Sequence, residues 1–159
     1  MSGLRDEARL SAMPIRLARA LLAVLTLAAM TTALAAGEPG EPAPRDWKAI
    51  KAVIGDQLAA LKKDDGARAF KHAAPALQAQ FGDAATFLRM VHAGYQPLID
   101  ARHREYLDGA VVEGQVIQPV RLVLKDDTVL VALYTMQKDD AGRWRIAGCL
   151  LAPSTVKSA

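Results

Sequence analysis

Residues 111–151 read VVEGQVIQPVRLVLKDDTVLVALYTMQKDDAGRWRIAGCLL, and this stretch decides the fold. Val111 to Lys125 alternates in long apolar steps. Val129 to Gln137 and Trp144 to Leu151 follow as two further strands, set apart by Asp126-Asp127 and by Lys138-Asp139-Asp140-Ala141-Gly142. Connections this short demand antiparallel pairing, because a parallel return needs roughly a dozen residues or more. Gly114 and Pro119 mark bulges or an edge within the first run. Upstream, Ala101 to Leu107 is one more strand, closed by an Asp108-Gly109 turn.

Before that strand the period changes from two to 3.6. Asp46 is a good N-cap for Trp47, Ile50, Val53, Ile54, Leu58 and Leu61, which share one helical face. Lys62 and Lys63 close that helix at its negative end. Asp64 or Asp65 caps a second helix carrying Ala69 and Phe70, which ends before Pro75. Pro75 to Phe81 is a short helix with Pro at its first position and Gly82 past its end. Asp83 caps the next, whose stripe is Ala84, Phe87, Leu88 and Val91, and Gly94 with Pro97 stops it. No helical signal follows. Helices first and a meander of about four strands afterwards predict an α+β domain, with the helices packed on one face of a curved antiparallel sheet.

The chain has 159 residues, and its first 35 set the compartment. Arg16 and Arg19 precede an apolar run from Ala20 to Met30, and Ala33 and Ala35 suit cleavage before Ala36, as in a secretory signal peptide. Met13 opens this region, so residues 1–12 fit a mis-assigned start. The alternative is an uncleaved membrane anchor, although a run of seventeen residues to Ala36 is short for a span. A lipoprotein needs a cysteine just after the run, and the single cysteine is Cys149. The expected location is periplasmic or secreted, with no stable membrane span after cleavage. Residues 36–45 read as a flexible linker rich in Pro and Gly, 46–153 as the single domain, and 154–159 as a tail.

The formal charge of +3 falls to +1 once the leader's four arginines and two acids are set aside. The remaining charges are interspersed, which excludes an electrostatic footprint for nucleic acid. One cysteine makes no internal disulfide, and Cys149, among small and apolar neighbours, reads as a buried strand residue.

The series Asp64-Asp65, Ala69-Phe70, Ala74-Pro75, Phe81-Gly82, Phe87, Met90-Val91, Gly94-Tyr95, Pro97, Tyr134-Thr135-Met136 and Gly142 to Cys149 resembles an uncharacterised bacterial family, domain of unknown function 4864. The resemblance covers residues 46–151 and implies no activity, so it carries over no functional residues. The order of elements also looks like a nuclear-transport-factor-2-like, cystatin-like cone, a superfold that hosts enzymes and binding modules alike.

No metal-ligand spacing, serine-nucleophile motif or phosphate-cradling glycine loop occurs, so no cofactor or metal is expected. His72 and His92 fall on polar helix positions and read as surface residues. Asp64-Asp65, between two helices, read as caps rather than paired catalytic carboxylates. His103, Glu105 and Leu107 share one face of their strand, and Arg102, Arg104 and Tyr106 the other. If the first face lined a cavity, His103 with Glu105, or with a tyrosine such as Tyr106, would form a proton-transfer pair; strand-surface ion pairing explains the same residues. Tyr95, Tyr106 and Tyr134 offer hydroxyls to a polar pocket. Arg143 and Arg145, with Arg102, Arg104 and Arg121, offer an anion-binding sheet face. The leading expectation is therefore a non-catalytic module that binds a small ligand or a protein partner. Alternatives are a small isomerase- or dehydratase-type enzyme using His103, and a homodimerisation module.

Overall fold

A computed structural model describes residues 40–154; the predicted leader, residues 36–39 of the predicted linker and residues 155–159 of the tail lie outside them. The first helix, α1 (Pro44–Leu61), starts three residues earlier than its sequence predicts. Pro44 occupies the first turn, where its missing N–H costs nothing, and Ala43 rather than Asp46 precedes it as the cap. Asp46 is used differently. Its carboxylate accepts a hydrogen bond from Trp144 Nε1 at 2.9 Å and pairs with Lys138 at 3.2 Å, tying the start of α1 to the sheet. Residues 43–45 of the predicted linker thus belong to the folded domain, and Pro42 is buried.

Short helices follow as the cap and stop signals dictate: α2 (Gly66–Lys71), α3 (Pro75–Phe81) and α4 (Ala84–Gly94). Asp65 caps α2 by accepting from Arg68 N at 3.0 Å, and Asp83 caps α4 by accepting from Thr86 N at 2.7 Å. Helical structure does not end there. Pro97, expected only to terminate α4, stands at the start of a five-residue helix, α5 (Gln96–Asp100). Pro is equally suited to both places.

Five antiparallel strands form one curved sheet: β1 (His103–Tyr106), β2 (Ala110–Val112), β3 (Gln115–Val123), β4 (Val129–Lys138) and β5 (Trp144–Pro153). β1 and β2 both pair with β3, which pairs with β4, which pairs with β5. Gly114 is not a bulge inside one long strand. Glu113 (φ 50°) and Gly114 (φ 75°) form a two-residue hairpin loop between Val112 and Gln115, both in the left-handed region that such a turn requires. Pro119 lies opposite the break between β1 and β2, where Leu107 N donates to its carbonyl at 3.1 Å. The buried Gln118 side chain holds this break by donating to the carbonyls of Leu107 (2.8 Å) and Pro119 (2.9 Å). A register shift between Thr135 and Met136 leaves Ala147 of β5 as an extra residue, a bulge that bends that strand.

The helices cover one sheet face. Ile50, Ile54 and Leu58 of α1 share a core with Val116, Val120 and Leu122 of β3, Ala132, Tyr134 and Met136 of β4, and Ile146 of β5. Burying each large aliphatic side chain contributes about 1.5–3 kcal/mol. A second, smaller core joins Ala60 and Leu61 of α1 to Ala69 of α2 and to Phe87 and Val91 of α4. Its helices are clasped to β5 through backbone. Ile146 N donates to the His72 carbonyl and Ala74 N to the Ile146 carbonyl, both at 2.8 Å.

Gly109 packs directly against the Trp47 indole, and a Cβ built there would lie 2.2 Å from the ring. Gly109→Ala therefore displaces Trp47 or the β1–β2 turn. The expected cost is about 1–3 kcal/mol of unfolding free energy, read by urea titration, against no change for Gly94→Ser, which meets open space.

Candidate functional site

The two cores do not merge. Between them runs a cleft of about 210 Å³, walled by Leu61 of α1, Phe81 of α3, Phe87 and Val91 of α4, and Ile146 and Cys149 of β5. Tyr95, at the α4–α5 junction, packs against both cores, and its hydroxyl donates to the Cys149 carbonyl at 3.0 Å. Phe87 is the centre of an aromatic group, with ring centroids 5.4 Å from Phe70 and 5.6 Å from Phe81. Leu77 and the exposed Gln80 edge the cleft, while Gln57, almost fully buried, reaches it from α1. An apolar cavity of roughly 150 Å³ already accommodates benzene, so this one suits a single ring or a short aliphatic chain.

Behind the cleft, under α1, lies a group of polar side chains. β1 turns Arg104 and Tyr106 inward, since they pair with Leu122 and Val120, which are fully buried. Arg104 Nη2 donates to the Leu98 carbonyl at 2.7 Å, and the Tyr106 hydroxyl donates to the Lys51 carbonyl at 3.1 Å. Tyr134, fully buried on β4, stands opposite Cys149 in the β4–β5 register. Burial raises the pKa of both tyrosines, Tyr134 far more, and the positive charge of Arg104 opposes the rise at each. Burial also pushes the Cys149 thiol up to about 12. Cys149 is half-buried on its strand rather than fully enclosed.

Other sequence candidates are placed elsewhere. His103 and Glu105 point away from the helices and are exposed, and Glu105 pairs with Arg121 at 3.4 Å. Among the described residues they line neither the cleft above nor the second cavity, beside Trp144. Arg143 and Arg145 both donate to Asp139, at 3.0 and 2.9 Å, and Arg145 also reaches the Lys71 carbonyl. With Arg102 held by Asp127, the five arginines do not converge on one face. Hydrogen bonds from the Arg143 backbone and then from the Arg145 and Arg143 side chains hold the Asp139 carboxyl at about 2, so one carboxylate engages both arginines. His72 departs from its surface reading. It is partly buried and bonded to Asp56 Oδ2 at 2.6 Å, and Asp56, held foremost by Arg68 and then by His72, is lowered to about 2. His92 is exposed, as its position predicts, and meets Asp64 at 2.8 Å.

Among the described residues no group of three His, Cys, Asp or Glu side chains is placed to hold a metal ion, and no helix is long and apolar enough to cross a membrane. The chain matches the family model described as a domain of unknown function (DUF4864) over residues 43–159, and it belongs to that family. No curated protein and no solved structure matches it.

With its pKa at about 12, the Cys149 thiol is ionised to only about 10⁻⁴ at pH 8. Labelling by a disulfide reagent at that pH is expected to be roughly a thousandfold slower in the native protein than in denaturant. Equal rates in both states would contradict the burial assigned to this side chain.

Proposed function

We propose, for this member of the DUF4864 family, that the domain is an exported module whose cleft binds a small, largely apolar ligand without transforming it. The observation that carries this reading is the cleft itself, an apolar space of about 210 Å³ at the seam of the two cores. Aromatic and aliphatic walls with a few polar groups are the common make-up of a small-molecule site. The proton carriers considered for catalysis, His103 and Glu105, are on the opposite sheet face. Export rests on the leader-like residues 13–35.

The neutral probe phenylacetamide, a single ring with a short polar arm, is the appropriate test. Binding followed by nitrogen–proton NMR is expected to shift Leu61, Phe87, Val91 and Cys149 amides. Leu77→Trp, which fills the edge of the cleft without touching either core's centre, is expected to weaken binding at least tenfold. Shifts scattered over the surface, or no binding by the unaltered protein, would contradict the reading.

A second reading is favoured by the outer sheet face. Leu150 is 61 % exposed there, Val112 is 54 % exposed, and Ile117, Val131 and Leu133 lie on the same side. The Glu105–Arg121 pair places both charge signs on that face, which suits a second copy related by two-fold symmetry. Sedimentation equilibrium is expected to show a dimer that Leu150→Lys dissociates. Monomer at every concentration would remove this reading and leave the cleft untouched.

A further inference from the structure

The polar cluster behind the cleft is only half satisfied by the fold. Arg104 Nε is buried and finds no acceptor, and among the described residues no carboxylate forms an ion pair with this guanidinium. The Tyr134 hydroxyl, fully buried beside it, likewise finds no hydrogen-bond partner of ordinary geometry. The Tyr106 hydroxyl already donates its hydrogen bond to the Lys51 carbonyl. The site therefore offers a positive charge, an Arg104 Nε without an acceptor, and a Tyr134 hydroxyl that meets only the weakly accepting Cys149 sulfur. Arg104 is only partly buried, but its Nε is enclosed, and an unmade buried hydrogen bond is costly. Neither side chain lines the cleft itself, but each is held by a residue that does. Leu98 holds Arg104 by its carbonyl, and Cys149 is the cross-strand neighbour of Tyr134.

We propose that this cluster receives the carboxylate of a small organic acid whose apolar body fills the cleft, with Arg104 and Tyr134 as the donors. The proposal rests on the cleft reading above and narrows it to a class of ligand. Arg is suited to the task because its guanidinium stays charged and its N–H groups match the spacing of carboxylate oxygens. Tyr134 adds a hydroxyl that stays protonated, and so remains a donor, at any physiological pH. Leu61, Phe87 and Val91 contact the apolar end. The acid is thus held by charge at its buried end and by dispersion along its body, which selects against both free apolar molecules and small hydrophilic anions.

The test compares phenylacetate with phenylacetamide, which share shape but differ in charge, at pH 7 by isothermal titration calorimetry. Phenylacetate is expected to bind at least tenfold tighter than the amide. Arg104→Met is expected to erase that preference by weakening phenylacetate at least tenfold more than the amide. Because Arg104 also holds the Leu98 carbonyl, its loss is checked against Tyr134→Phe, which removes a hydroxyl whose interaction within the fold is a weak one with the Cys149 thiol. Tyr134→Phe is expected to fold normally and to weaken phenylacetate three- to tenfold with little effect on phenylacetamide. Equal affinity of the two probes for the unaltered protein would overturn the carboxylate assignment and leave the cleft reading intact, with the two donors assigned to an internal water. A carboxylate preference unmoved by Tyr134→Phe and by Arg104→Met would also overturn it. Failure of both probes to bind would remove the cleft reading and this inference together.

Discussion

Everything in this domain depends on α1 lying across the inner face of the sheet. Ile50, Ile54 and Leu58 are excluded from water only because Val120, Leu122, Ala132 and Tyr134 are presented opposite them, and the reverse is equally true. The two ends of the helix are fixed by different means. Asp46 anchors the start through Trp144 and Lys138. At the other end Leu61 enters a separate core with α2 and α4, and the Asp56 carboxylate holds Arg68 and His72 of the second turn of structure. A chain without an internal disulfide has no covalent substitute for these contacts.

One helix of this length cannot cover a five-stranded curved sheet. The short helices α2 to α5 complete the cover, and they do so from their own core rather than by extending the main one. The cleft is the geometric remainder of that arrangement, bounded on one side by aromatic side chains of the helical core and on the other by β5. The same imperfect cover leaves Arg104 and Tyr134 buried without full partners. Protein interiors satisfy most of their buried polar groups, so an Arg104 Nε without an acceptor near a Tyr134 hydroxyl that meets only a thiol carries functional information that an apolar cavity alone does not.

Much of the fold was legible because its signals are local. Pro75 with Gly82, and Asp83 with Gly94, bracket α3 and α4 as read, and the turns at Asp126-Asp127 and Lys138 to Gly142 set the meander. Two errors have separate causes. Pro97 both stops one helix and starts another, and Glu113-Gly114 lacks the Asn or Asp that usually marks a hairpin loop. The site was less legible. Arg104 and Tyr106 were rightly paired on one face of β1, but His-Arg-Glu-Tyr is polar throughout, so its alternation does not say which face turns inward. Only the register against Leu122 and Val120 decides that. Arg143 and Arg145 looked free because Asp139, although only four residues away from Arg143, folds back on both.

The account stands on a ligand lying along the seam of the two cores, with its charged end at Arg104. A crystal structure of the domain grown with phenylacetate examines that most directly. The account predicts the ring beside Phe87 and Leu61 and a carboxylate oxygen within hydrogen-bond distance of Arg104 Nε and the Tyr134 hydroxyl. A ring in the cleft with its carboxylate turned outward toward Gln80, or a probe bound on the outer sheet face, would contradict it.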